Sequence, residues 1–133
     1  MSKILIVEDE ETQRIALFEN LAKEGFSPFA VKNGVDGLTI ALREHPDLIL
    51  LDIRMPKMDG MTMMHKLRED AWGKKVPIII LTNYDPNEAQ ISQMYIDLPS
   101  SYLIKSNSSL EKIVGKIKEV LDSKKNEKNP PLK

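Results

Sequence analysis

Short, unbroken apolar runs constrain the fold of this chain more than any other feature. Ile4-Leu5-Ile6-Val7, Leu48-Ile49-Leu50-Leu51 and Ile78-Ile79-Ile80-Leu81 are continuous rather than alternating. Tyr102-Leu103-Ile104 is a shorter run of the same kind, and Phe29-Ala30-Val31 a weaker fifth. Two of the runs are rich in β-branched residues, the pattern of strands buried on both faces in a parallel sheet.

Between the runs lie stretches with helical spacing. Ile15, Phe18 and Leu21 are expected on one face, as are Val35, Leu38 and Leu42, then Met61, Met64 and Leu67. Leu110, Ile113, Val114, Ile117, Val120 and Leu121 form the longest stripe. Ser108 and Glu111 have capping-box spacing, and Asp85-Pro86 reads as an N-cap followed by a first-turn proline. Asn33-Gly34, Asp59-Gly60 and Ser106-Asn107 read as turns. The alternation of strand and helix predicts an α/β fold with right-handed crossovers and a parallel sheet covered on both faces. The expected domain spans residues 1–123. Residues 124–133 (KKNEKNPPLK) lose all periodicity and read as a disordered tail or the start of a linker.

Composition narrows the function. The 133 residues suit one domain, and 41% are apolar, enough for one core. The formal net charge is -1, a poor basis for binding nucleic acid or anionic membranes. With no cysteine, disulfides, thiolate metal sites and thiol nucleophiles are excluded. The first apolar run is too short for a secretory core or a membrane span, so the expectation is a cytoplasmic protein without membrane insertion.

Ligands of open α/β sheets bind beyond the carboxyl ends of the strands. Here those ends carry Glu8, Asp9, Glu10 and Glu11 after the first run, Asp52 after the Leu48 run, Thr82 after the Ile78 run and Lys105 after the last. Each has a structural explanation alone: acids suit a helix start, Asp52 suits a turn, Thr82 suits a strand and Lys105 suits a solvated surface. None explains why complementary groups converge on one sheet edge. Clustered carboxylates need a cation or protons, and Mg²⁺ is commonly held by a few carboxylates plus phosphate oxygens. A carboxylate can also be the nucleophile that forms an aspartyl phosphate. The remaining charge of the transferred group would then fall to Lys105, Thr82 and the metal.

The stretches ILIVEDEE, DLILLDIRMPKMDG, PIIILT and SYLIK together resemble the receiver domain of two-component response regulators, over roughly Lys3 to Leu121. The resemblance implies a flavodoxin-like, doubly wound five-stranded sheet of order 2-1-3-4-5. It implies a bacterial signalling switch, not an enzyme beyond its own phosphorylation and dephosphorylation. Asp52 matches the phosphoacceptor. Glu8, Asp9, Asp52 and the backbone carbonyl of Arg54 match the Mg²⁺ ligands. Thr82 and Lys105 match the residues that contact the phosphoryl group, and Thr82 with Tyr102 matches the switch pair. The implied partners are a sensor histidine kinase or phosphotransfer protein, a downstream effector or output domain, and a second copy of the chain. The implied output face runs from Pro86 to Leu121.

Three departures from the family pattern carry expectations of their own. Ser106 stands where a proline usually follows the lysine, which predicts a trans Lys105–Ser106 peptide. Asn83 replaces a very small residue, which predicts narrowed access to Asp52 and slow turnover. MYIDLPSSY replaces a Gly-Ala turn, which predicts an output face of unusual shape. The alternative is a receiver-fold interaction module that signals without phosphate. A flavin protein is disfavoured by the acids after the first strand, and a dehalogenase-type hydrolase by Arg54 where a second acid is needed. His45 and His65 lack metal-ligand partners at helical spacing and read as structural, and the methionines from Met55 to Met64 read as packing.

Overall fold

The computed structural model of the chain describes residues 1–55, 57–83 and 87–128. Its elements run β1 (Lys3–Val7), α1 (Glu11–Lys23), β2 (Ser27–Val31), α2 (Gly34–Glu44), β3 (Leu48–Leu51), α3 (Gly60–Arg68), β4 (Ile78–Thr82), α4 (Glu88–Asp97), β5 (Ser101–Ile104) and α5 (Leu110–Lys128). All strand pairs are parallel, in the order β2-β1-β3-β4-β5. This is the doubly wound sheet the apolar runs and the family resemblance imply.

The two-residue period of the strands divides the core into two layers. Leu5, Val7, Ile49, Leu51, Ile78 and Ile80 face Ala41 of α2 and Met61, Met63, Met64 and Leu67 of α3. Ile4, Ile6, Leu48, Leu50, Ile79, Leu81 and Leu103 face Leu17 and Leu21 of α1 and Ile113, Val114 and Ile117 of α5. Full burial of such side chains is worth about 1.5–3 kcal/mol each relative to exposure, so the central strands dominate the stability.

The helix faces of α3 and α5 match the periodic reading. Those of α1 and α2 do not. Ile15 and Phe18 are 47% and 41% exposed, and α1 packs through Leu17 and Leu21 instead. On α2, Val35 and Leu42 are exposed, and Gly34, Gly37 and Ala41 form the buried face. Here small residues let the helix lie close to the sheet: a methyl group on Gly37 would stand 3.1 Å from Val7 Cγ1.

Two expected turns prove to be helix starts. Asn33 and Asp59 are N-caps whose side-chain oxygens accept from the N–H groups of Asp36 and Thr62. The capping box expected at Ser108 is displaced. Lys105–Asn107 form a 3₁₀ turn, and Ser109 Oγ accepts from Lys112 N instead. The expected cap at Asp85-Pro86 lies outside the described residues, and α4 begins at Glu88 under an Asn87–Gln90 capping box. Helix α5 continues through Lys128, past Lys124, where apolar periodicity stops. Among the described residues no helix is long and apolar enough to cross a membrane.

Candidate functional site

The strand order reverses between β1 and β3, which opens a crevice at their carboxyl ends. The sheet ladder itself delivers two acids there. Glu8 N donates to Val31 O at 3.1 Å, and Asp52 N to Val7 O at 3.0 Å, so each acid continues the pairing of its strand by one residue. Glu8 and Asp52 are buried and Asp9 is exposed. Carboxylate oxygens of Glu8, Asp9 and Asp52 lie within 4.8 Å of one another.

Lys105 enters from the end of β5. Its ammonium donates to Glu8 Oε1 and, at 3.2 Å, to Asp52 Oδ2. Burial opposes its charge, but the hydrogen bond to Glu8 and the charges of Asp52 and Glu8 outweigh that, and the ammonium is held above the usual lysine range. Glu8 is pushed up to about 8, first by burial and then by its hydrogen bond to Asp52. The two shifts differ in their leading cause: burial raises Glu8, whereas the neighbouring carboxylates raise Lys105 against its burial.

The donor set fits a hard divalent cation. Among the described residues, Glu8 Oε2 is buried without a hydrogen-bond partner, and such an atom costs free energy unless a proton or cation meets it. Thr82 is fully buried at the end of β4. Tyr102 stands opposite Ile80 on β5 and packs, partly buried, against the core layer of Leu5 and Val7. Arg54 is exposed in the loop that leaves β3.

Two contributors, and one contact between residues already singled out, are not marked in the sequence. Arg14 Nη1 donates to the main-chain carbonyls of Glu8 and Asp9 at 3.1 and 3.2 Å, bracing the acidic loop from α1. Gly60 lies against the Asp52 carbonyl: a methyl group there would stand 2.1 Å from the oxygen. Asn83 Oδ1 accepts from Ser106 N at 2.9 Å, joining two of the departures from the family pattern. Asp59-Gly60 carries a turn signal that also suits the N-cap of α3, whereas nothing local in the sequence marks Arg14. The Lys105–Ser106 peptide is trans, as Ser106 predicts. His65 meets Asp97 Oδ1 and Gln93, and His45 stacks on Trp72 with ring centroids 4.3 Å apart, both structural contacts.

Comparison with known proteins places the chain in a family. The chain is 39% identical to Protein PilH of Pseudomonas aeruginosa over 64% of its length and 70% of that protein's. It is 40% identical to sporulation initiation phosphotransferase F of Bacillus subtilis over 62% and 64% of the two chains. It spans only 20% of Regulatory protein AtoC of Escherichia coli, at 34% identity. Among solved structures, the signal receiver domain of a histidine kinase from Syntrophus aciditrophicus superposes with a TM-score of 0.82 at 26% identity, covering 92% of each chain. A receiver domain protein from Methanospirillum hungatei shares the fold with a TM-score of 0.87 at 24% identity, over 96% and 98% of the two chains. The family model of the response regulator receiver domain matches residues 4–118, and the chain belongs to that family.

Proposed function

We propose that the chain is a phosphorylation-dependent switch in which Asp52 is the phosphoacceptor. The observation that carries this reading is the meeting of Lys105 with Glu8 and Asp52, from three different strand ends, around an acidic cluster. An Asp52 carboxylate oxygen attacks the phosphorus of a phosphohistidine on a sensor kinase or phosphotransfer protein. The phosphorus–nitrogen bond breaks, and the departing imidazole takes up a proton. Hydrolysis reverses the state: water adds to phosphorus, the bond to the Asp52 oxygen breaks, and inorganic phosphate leaves with the carboxylate restored.

Glu8, Asp9, Asp52 and the Arg54 carbonyl would hold Mg²⁺, which supplies charge neutralisation at the phosphoryl oxygens when bound. Lys105 takes one oxygen as a point charge, and the Thr82 hydroxyl donates to another. Movement of Thr82 toward the phosphoryl group draws Tyr102 inward. The response is read on the face of α4, β5 and α5 by an effector, an output domain or a second copy, a role supported by the exposed Ile91, Tyr95 and Ile96 of α4.

Incubation with acetyl phosphate, with and without Mg²⁺, tests the proposal by intact mass. The wild-type chain gains one phosphoryl group in Mg²⁺, and Asp52→Asn gains none while keeping its fold. Because the variant removes a clustered acid, its stability without Mg²⁺ equals or exceeds wild type. Labelling of Asp52→Asn at the wild-type rate would refute the assignment, and a wild-type chain that is never labelled would leave an interaction module.

A further inference from the structure

We propose that Asn83 is a positioning residue for Lys105, acting through Ser106. The inference rests on the phosphoacceptor reading of the site. The β4–β5 ladder ends at the Thr82–Ile104 pair. One residue further on, both strands have left the sheet, and among the described residues the Asn83 side chain links them there: its Oδ1 accepts from Ser106 N at 2.9 Å. The carboxamide replaces the rung a longer strand would have provided.

That bond requires an N–H after the lysine. A proline there would fix φ and offer no donor. Serine leaves φ free, so the chain needs another constraint on the loop that carries Lys105. The Asn83 bond supplies it from the β4 side. Ser108 N, donating to Lys105 O at 3.2 Å, closes the 3₁₀ turn from the other. Lys105 is thereby tethered on both sides while its ammonium spans Glu8 and Asp52. Asn83 and Ser106 form one device, in which each residue makes the other useful.

This role opposes that of a gate. A residue that only obstructs Asp52 speeds phosphoryl acceptance when trimmed. A residue that positions Lys105 slows it. The test is a double-mutant cycle on the full chain, with acetyl phosphate and Mg²⁺ as probes. Asn83→Ala should lower the maximal phosphorylation rate about fivefold, the size of one hydrogen bond in a partly wet site, with little change in the half-saturating acetyl phosphate concentration. In a Ser106→Pro background, where no N–H remains, the same substitution should not lower the rate. Amide exchange by NMR gives a second arm that needs no phosphorylation. Ser106 N–H should exchange faster in Asn83→Ala at unchanged global stability, the Lys105 ammonium resonance should move with it, and Asn83→Asp, which keeps the acceptor, should restore both. Unchanged Ser106 exchange and Lys105 resonance, or an equal rise in rate in both backgrounds, would overturn the proposal. If the wild-type chain accepts no phosphate, the phosphoacceptor reading fails, and the exchange arm still decides whether Asn83 positions Lys105.

Discussion

A Cβ atom on Gly60 would lie 2.1 Å from the carbonyl oxygen of Asp52 and 3.0 Å from Ile53 Cα, so the first residue of α3 is pressed against the main chain of the proposed phosphoacceptor. Gly60 N also donates to Ile53 O at 2.7 Å. The glycine is needed for close approach, and the start of α3 locks the loop that aims the Asp52 side chain. Gly60→Ala must therefore displace backbone. It should destabilise the fold by about 1–3 kcal/mol and slow acetyl phosphate labelling at least about tenfold. Urea denaturation and labelling kinetics measured on the same variant check both. Unchanged values in both would show that the loop yields without cost.

Glu8 links stability to pH in an uncommon direction. Its proton is held to about pH 8 in the folded, metal-free chain, against 4.5 for an ordinary glutamate. Between these values the folded state keeps a proton that the unfolded state has released. The linkage slope is then negative, and this contribution is present below about 4.5 and lost as pH rises towards 8. Glu8→Gln removes the titration, so the stability of the variant relative to wild type should climb between pH 5 and 8.5. Parallel urea curves at the two pH values would exclude the effect. Mg²⁺ must displace the same proton, so calorimetric Mg²⁺ affinity of the wild type should rise across the same window.

Thr82 is buried at the tip of β4, and Tyr102 stands on the neighbouring strand. A phosphoryl group adds charge and strong acceptor oxygens, and it can shift the conformational equilibrium only by its differential contacts with the two states. Thr82→Ala keeps the acceptor but loses the hydroxyl. It should still be labelled in Mg²⁺, while amide shifts over residues 88–121 on phosphorylation fall to less than about half of wild type. Full wild-type shifts in the variant would break the proposed coupling.

Leu98 ends α4 in the left-handed conformation, φ 49°, with its side chain largely exposed. This is where MYIDLPSSY departs from a Gly-Ala turn. The conformation costs an L-residue about 1–2 kcal/mol, and part of that returns to a glycine as unfolded-state entropy. Leu98→Gly should therefore stabilise the chain by about 0.5–1 kcal/mol, read as a higher urea midpoint at unchanged slope. The carbonyl of Leu98, which accepts from Arg68 Nη2 at 3.2 Å, is kept in the variant. A lower midpoint would mean that the leucine side chain contributes packing that outweighs the backbone strain.

The apolar runs by themselves point to the sheet, because short continuous runs rich in β-branched residues and separated by helical spacing suit strands covered on both faces. They also determine which polar residues stand at its carboxyl edge, since Glu8, Asp52, Thr82 and Lys105 directly follow their runs. Helix faces were legible where large side chains do the packing, as on α3 and α5. They were misread on α1 and α2, where Ile15, Phe18, Val35 and Leu42 are exposed and, on α2, glycine and alanine set the distance to the sheet. Periodicity of hydrophobic residues does not register a contact made by the absence of a side chain. Tertiary structure alone decided the polar contacts that no strand or helix pattern sets. Arg14 reaches the Glu8 and Asp9 carbonyls, Arg68 gathers the carbonyls of Gly73, Val76, Asp97 and Leu98, and Asn83 meets Ser106. Each is a polar side chain answering a main-chain group that local structure leaves unpaired. Which group that is depends on where the strands and helices end in space, not on the residues beside it in the chain.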